Sequence, residues 1–367
     1  MDSKSDLPLN PALEGLPVYQ PGRPIEEVAR EFGLPLGGII KLASNENPLG
    51  PSPKALAAMR DVLPHLHLYP DGSAFELKRR LAGRLGVAPE NLVLGNGSNE
   101  IIEFVGHALM RPGAEIVVSE YCFAIYPLIA RMMGASVRTV PARDFGHDLP
   151  AMARAIGPST TVVFVANPNN PTGTLATKEE LLALVEAVPS SVLLVVDEAY
   201  IEFLDDPLDL LPAIRSGSRP NLLVMRTFSK IHGLAGLRLG YGIGVPALVG
   251  ALEKVRQPFN INALVQAAAL AALGDDDHVA RTRAVNREGL ALLTAGCREL
   301  GLAVVPSAAN FLLVEVGDGQ RVFQELQRRG VITRPMGGYG MPRHVRISVG
   351  TAEENRRCLE ALRAVVR

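Results

Sequence analysis

The sequence predicts an α/β fold, a mainly parallel central sheet between helices, followed by a smaller α+β domain. Three observations carry that expectation. Short runs rich in β-branched residues and leucine, "AEIVVSE", "ASVRTVP", "TVVFVANP", "SVLLVVDEAY" and "NLLVMRTFSK", recur between residues 114 and 230. Helical segments such as "TKEELLALVEAV" separate them, and near-continuous apolar strands alternating with helices indicate a parallel sheet covered on both faces. After Pro258 the character changes: two helical stretches, 263–273 and 278–300, lead into shorter mixed runs.

The elements follow in order from local signals. Residues 1–40 are rich in proline and glycine and read as an arm with one short helix, "PIEEVAREFG". "FELKRRLAGRLG" has helical spacing and "NLVLG" is a short strand. "SNEIIEFVGHALM" is a helix expected to open at Ser98, with an acid two residues on. Beyond residue 300 come "LAVVPS", "NFLLVEV", "VFQELQRRG", "VITRPM" and "HVRISVGT", then a final helix, "AEENRRCLEALRAVV". The expected division is an N-terminal arm (1–40) packing with the small domain, a large domain (41–258) and a small C-terminal domain (259–367). The long helix near 278–300 would be the joint.

The totals narrow the function classes. A chain of 367 residues with 47% hydrophobic residues suits two domains or one large domain with an appendage. With 37 basic and 38 acidic side chains, nothing points to nucleic acid as a partner. Cys122, Cys297 and Cys358 are far apart and form no CxxC pair, which fits a reducing compartment rather than a disulfide framework. The N-terminal stretch lacks a secretory h-region, and no run approaches the ~20 apolar residues of a membrane span. The expectation is a cytoplasmic protein with no membrane partner.

Three strand-like runs end in polar groups that a core would reject. "TVVFVANPNNPTG" ends at Asn167 to Asn170, "SVLLVVDEAY" at Asp197 and Tyr200, and "NLLVMRTFSK" at Lys230. Parallel strands deliver their C-terminal ends to one edge of the sheet, where open α/β folds bind ligands. Singly, an asparagine before proline commonly makes a turn and an acid after a strand commonly caps a helix. Four such residues on successive runs point instead to one pocket.

A fifth element, "LVLGNGSNEIIEF", runs from strand through Gly95 and Gly97 into a helix. The amides of Ser98, Asn99 and Glu100 would be helix N-terminal donors, a cradle for phosphate. The third glycine of a dinucleotide loop is replaced by Glu100, yet Glu120 closes the next strand roughly where a ribose-binding acid would lie. This loop alone leaves both readings open.

The lysine separates them. A nicotinamide enzyme has no assigned use for Thr227, Ser229, Lys230 and Arg238 together with Asp197 and Tyr200, whereas pyridoxal 5'-phosphate uses each. Its aldehyde needs a lysine amine, and its ring nitrogen an acid. Its 3-oxygen needs donors such as Tyr200 and Asn170. Its phosphate needs a helix N-terminus, hydroxyls and a guanidinium, offered by Ser98, Asn99, Thr227, Ser229 and Arg238. Phe123 in "YCFAIYP" could stack on the ring, although core packing is the commoner fate of a phenylalanine.

With these residues the chain resembles the fold-type I aminotransferases, and most closely the histidinol-phosphate aminotransferases, over essentially its whole length. The motifs are "KLASNENPLGPS", "LYPDG", "GNGSNE", "ANPNNPTG", "DEAY", "RTFSKIHGLAGLRLGY", "RPM" and "RISVGT", in this order. The resemblance implies that Lys230 is the Schiff-base lysine and general base of a ping-pong transamination with 2-oxoglutarate. It likewise implies Asp197 as the pyridine partner, Tyr200 and Asn170 as ligands of the 3-oxygen, and Phe123 as the stacking ring. Tyr69 would reach the cofactor phosphate of a neighbouring subunit, which implies a homodimer with shared active sites. Arg346 would bind the carboxylate of glutamate or 2-oxoglutarate, Arg334 and Tyr19 the phosphate of histidinol phosphate, and Asn45 would lie beside the substrate.

Other readings remain at this point. The same arginine would bind an ordinary α-carboxylate, so an aromatic amino acid such as phenylalanine is the alternative substrate. A decarboxylase of a phosphorylated amino acid, a non-catalytic cofactor-binding regulator and a nicotinamide dehydrogenase stand further off. The regulator needs a DNA-binding module, and residues 1–40 hold no basic helix pair. His232 receives no role, and His65 with His67 lacks a third ligand for a metal.

Overall fold

Alternation along the strands fixes the main layer. The computed structural model describes residues 7–366, so the first six residues of the expected arm lie outside the described residues. After a short strand β1 (Ile40–Lys41) come β2 (Leu92–Gly95), β3 (Glu115–Ser119), β4 (Ser136–Val140), β5 (Thr160–Ala166), β6 (Leu193–Asp197), β7 (Leu222–Thr227) and β8 (Gly240–Ile243). On β5, β6 and β7, Val163, Val165, Leu194, Val196, Leu222 and Val224 enter one core cluster. Their neighbours Val162, Phe164, Leu193, Val195, Leu223 and Met225 enter another on the opposite face. Successive side chains point to opposite faces of a strand, so two apolar faces require helices on both.

The seven strands β2 to β8 form one sheet in the order β2-β8-β7-β6-β5-β3-β4. β3 to β7 run parallel, and β8 is antiparallel to both of its neighbours, β2 and β7. β8 was not foreseen, because "GYGI" lies inside the glycine-rich stretch after Lys230. Glycine is required there: a Cβ on Gly240 would lie 2.3 Å from the Ser98 nitrogen. The expected serine-capped helix start also differs. The helix Ser98–Leu109 is capped by Gly97 at φ 76°, with Ser98 as its first residue, and Glu100 accepts instead from the Asn96 amide at 2.6 Å.

The C-terminal part forms a second sheet from β9 (Ala303–Val305), β10 (Phe311–Glu315), β12 (Arg334–Pro335) and β13 (His344–Ser348), antiparallel in the order β12-β13-β10-β9. Between them β11 (Val331–Ile332) pairs parallel with β1 as a separate two-stranded sheet, and the Ser348 amide donates to the Leu42 carbonyl at 2.8 Å, which ties the N-terminal segment to β13. The helix Ile25–Phe32 joins through Val28, which clusters with Ile39, Ala43 and Ile332. The helix Ala263–Ala272, expected with the small domain, packs elsewhere. Its Val265, Ala268, Ala269 and Ala272 share the core cluster of Leu77, Leu81 and the main sheet. The change of core therefore follows this helix instead of falling at residue 258.

The helix Asp276–Glu299 carries the chain to the second core through Leu293 and Cys297. Its Gly289 lies against Val349, where an added Cβ would stand 2.3 Å from Val349 Cγ1 and 2.8 Å from Asn355 Nδ2. Val349 is 2% exposed and stiff at χ1, and the Asn355 amide is committed to Gly350 O at 3.0 Å, so neither neighbour can yield cheaply. Alanine is the better helix former by about 1 kcal/mol, but overpacking costs about 1–3 kcal/mol. Gly289→Ala is therefore expected to lower unfolding stability by roughly 1 kcal/mol in a denaturant titration; an increase would contradict this packing.

Candidate functional site

β5, β6 and β7 are adjacent and parallel, so their C-terminal ends lie side by side, with Ala166 opposite Asp197 and Asp197 opposite Met225. The segments beyond those ends line a cavity of about 360 Å³. Asn170, Asp197, Tyr200, Thr227, Ser229 and Lys230 all reach it, as the sequence predicted. Ser98 and Asn99 enter from the first turn of the Ser98–Leu109 helix, Arg238 from the turn just before β8, and Phe123 from the loop after β3. Tyr19, Asn45, Arg334 and Arg346 close the cavity from the N-terminal segment and the second sheet.

Asp197 is 5% exposed, and burial pushes its carboxyl pKa up. Opposing that, the Tyr126 hydroxyl donates to Oδ2 at 2.7 Å, the Ala199 backbone N–H donates to Oδ1 at 3.1 Å, and the Lys230 charge acts in the same direction. Lys230 is half-buried, with Nζ donating to the Ser44 carbonyl at 3.1 Å and standing 5.8 Å from the Tyr200 ring centre. Desolvation first, then the nearby Arg346 guanidinium, push its pKa down to about 8. Burial thus moves the acid's pKa up and the amine's down, and the donors on Asp197 limit its rise.

Tyr200 accepts a hydrogen bond from Asn45 Nδ2 at 2.9 Å, so its own proton points elsewhere, and burial pushes its pKa up to about 12. Asn45 sits at φ 55° and is fastened on every polar atom. Its amide donates to Ser348 Oγ at 2.8 Å, its Oδ1 accepts from the same hydroxyl at 2.9 Å, and its carbonyl accepts from Asn310 at 3.0 Å. Arg346 donates to Asn170 Oδ1 at 2.5 Å and to the Ala43 carbonyl at 2.8 Å. Its Nε is buried with no hydrogen-bond partner among the described residues. A buried unpaired guanidinium nitrogen is a donor awaiting an anion.

At the other end, a Cβ on Gly97 would stand 2.2 Å from Arg238 Nη2, so only glycine lets the guanidinium lie against the helix N-terminus. Thr227 accepts from the Ser229 amide at 3.1 Å and donates to the Leu239 carbonyl at 3.1 Å, folding the chain back beneath that corner. Helix amides, hydroxyls and a guanidinium converge as an anion cradle. The donor set therefore fits a phosphorylated ring with a carboxylate partner, and a second anion facing Arg346.

Some expected residues lie apart. Tyr69 is 82% exposed and stacks on Phe259 at 4.7 Å in a separate surface depression, so it reaches no part of this chain's cavity. His232 lies outside the lining and stacks on Phe228 at 4.7 Å. Glu120, the ribose-binding alternative, accepts from the Ala142 amide at 3.0 Å outside the cavity. Arg334 donates to the Gln20 carbonyl at 2.5 Å and its guanidinium lies 5.7 Å from the Tyr19 ring centre. The sequence reading missed Tyr126, Tyr339 and Glu46, which also line the cavity. Only Tyr126 had a signal, its place three residues after Phe123 in "YCFAIYP".

Comparison with known proteins agrees with this geometry. Residues 37–362 match the model of the family "Aminotransferase class I and II". The chain is 52% identical over 362 residues to a Pseudomonas fluorescens protein named histidinol-phosphate aminotransferase 2, covering 97% of this chain and 96% of that one. It is 50% identical over 355 residues to histidinol-phosphate aminotransferase 1 of Nitrosococcus oceani, covering 96% and 95%. Among solved structures, histidinol-phosphate aminotransferase of Sinorhizobium meliloti in complex with pyridoxal-5'-phosphate superposes with a TM-score of 0.91 at 30% identity, covering 99% of each chain. Strand-end chemistry, fold and sequence converge on one conclusion: this chain belongs to the class I and II aminotransferase family.

Proposed function

We propose that the chain is a pyridoxal 5'-phosphate-dependent aminotransferase that converts histidinol phosphate and 2-oxoglutarate to imidazole acetol phosphate and glutamate, a step of histidine biosynthesis. The observation that carries the reading is the pairing, in one cavity, of the Lys230 amine with the Asp197 carboxylate at the tips of neighbouring strands. The substrate assignment is supported by the names of full-length relatives at about half identity.

When bound, pyridoxal phosphate supplies an electron sink that acidifies the Cα–H of an amine substrate and carries the amino group between half-reactions. Asp197 holds a proton at the ring nitrogen. Tyr200 and Asn170 donate to the 3-oxygen. The Tyr200 proton is free to do so because Asn45 supplies the hydrogen bond that its oxygen accepts. Ser98, Asn99, Thr227, Ser229 and Arg238 would bind the phosphate, and Phe123 would pack against the ring. Lys230, neutral in a large fraction near pH 8, would be the base that takes the Cα proton and gives it back. Arg346 receives the carboxylate of glutamate or 2-oxoglutarate, while Arg334 and Tyr19 receive the phosphate of histidinol phosphate. Asn45 borders the substrate.

The working unit in this reading is a cytoplasmic homodimer. Tyr69, with Leu66 at 48% and Leu68 at 61% exposure, lies in an exposed apolar depression that a second copy would cover, and it would complete the partner's phosphate site. In this reading an arm, a large domain that extends through the helix Ala263–Ala272 and a small domain divide the chain, with the joint in the helix Asp276–Glu299.

Two experiments test the reading. In cofactor-free protein, modification of Lys230 by an amine-selective reagent, followed by peptide mass mapping, should rise through about pH 8. Removing a cation raises a neighbouring lysine's pKa, so Arg346→Gln should move that rise to higher pH; a rise at the ordinary lysine value in both proteins would contradict the site electrostatics. In the second, cofactor-loaded enzyme is mixed separately with histidinol phosphate, phenylalanine, tyrosine and glutamate while the visible cofactor band is followed. Histidinol phosphate and glutamate should bleach it, and Lys230→Ala should abolish turnover. Arg334→Ala should raise the histidinol phosphate concentration for half-maximal rate roughly ten-fold or more, by loss of a charged contact, and leave glutamate unchanged. Faster bleaching by phenylalanine than by histidinol phosphate would shift the assignment to an aromatic substrate.

A further inference from the structure

The carboxylate on which the proposed chemistry turns is itself held by a residue with no assigned part in the reaction. The Tyr126 ring is fully buried, stacks on Phe164 at 4.5 Å with 10° between planes, and meets the edge of Phe123 at 5.7 Å. Those contacts place its hydroxyl independently of Asp197. Tyr126 donates to Oδ2 and the Ala199 amide to Oδ1, so each oxygen has its own donor and the plane of the carboxylate is fixed.

We propose that Tyr126 is a positioning residue of the transamination: it keeps the Asp197 carboxylate anionic and aimed into the cavity through one buried phenol hydrogen bond. This rests on the reading of the cavity as a pyridoxal phosphate site.

Burial alone favours a neutral acid, and a neutral Asp197 could not hold a proton at the ring nitrogen. The groups acting on Asp197 are few. Lys230 faces it from beyond β7 and Tyr200 from its own loop. Glu198, the next residue, is paired to Arg226 at 2.8 Å. Cys122, beside Tyr126, has its thiol pushed up to about 12 by burial and stays protonated. The Tyr126 phenol is pushed well above its ordinary value and remains a donor across the working pH range. Lys230 is needed as a reagent and the Ala199 contact is backbone, so Tyr126 is the side chain whose task is the carboxylate alone.

The test is Tyr126→Phe, which keeps the ring and its stacking. Pyridoxal phosphate affinity of the cofactor-free protein, by equilibrium dialysis, should fall about ten-fold and fall further at pH 6 than at pH 8, because Asp197 then protonates at higher pH. In the loaded enzyme the acidic limb of kcat should move up by about one pH unit, with KM for the amino donor nearly unchanged. In an Asp197→Asn background the same substitution should leave the pH profile where it is. Unchanged affinity and profile, with at most a lower melting temperature, would reduce Tyr126 to a packing residue and overturn the proposal. Wild-type protein that binds no pyridoxal phosphate would overturn the cofactor reading itself, a distinct result.

Discussion

The site depends on burying an acid and an amine together while letting both give up their protons, the acid as an anion and the amine as a neutral base. Desolvation acts on both in the same sense, toward the neutral form. Asp197 resists it because two donors, Tyr126 and the Ala199 amide, are committed to its oxygens. Lys230 has a single carbonyl acceptor, Ser44, and the Arg346 cation nearby, so it loses its proton more readily. A buried acid that still ionises beside an amine lowered to about 8 supplies the anion and the neutral base that acid–base chemistry near neutral pH requires.

That arrangement follows from topology before any side chain is considered. β5, β6 and β7 are parallel neighbours, so residues following each of them must emerge at the same edge. The antiparallel β8 then returns the chain beside β2, placing Arg238 and Gly240 against the first turn of the Ser98–Leu109 helix. The second sheet brings the remaining charge. β13 carries Arg346, and Ser348 two residues on points the same way along the strand and holds Asn45. The cavity is thus a seam between two sheets, which is why its anion-facing groups come from both.

Much of this was legible in the chain. Four of the parallel strands, β3, β5, β6 and β7, were visible as apolar runs because burial on both faces removes any need for polar alternation, and the exposed edge strand β4 showed only as a β-branched run. Lys230, Asp197 and Tyr200 were visible because a polar group ending such a run has no place in a core. β8 was hidden because close backbone approach demands glycine, and "GYGI" then carries little strand propensity of its own. The helix Ala263–Ala272 was misassigned because an alanine-rich helix is apolar all round and does not declare which core it joins. Tyr126 was hidden by its own success: a tyrosine in an apolar helix reads as packing, and its hydroxyl partner lies 71 residues away. Only the folded chain brings donor and acceptor within reach.

Backbone conformation around the cavity shows what the fold sustains to keep this geometry. Asn45 and Arg238 are both in the left-handed region, at φ 55° and 64°, and both line the site. For asparagine this is inexpensive, but for arginine it costs on the order of 1–2 kcal/mol. Such conformers persist when surrounding contacts over-determine them. Asn45 is fixed by Ser348, Tyr200 and Asn310, which span both sheets. Arg238 is fixed by the turn into β8 and by the missing side chain of Gly97. Relaxing either residue to an ordinary φ would swing its side chain out of the cavity, one taking the Tyr200 contact with it and the other the guanidinium of the anion cradle. At these two positions the strained backbone aims side chains inward from segments that would otherwise run past the cavity.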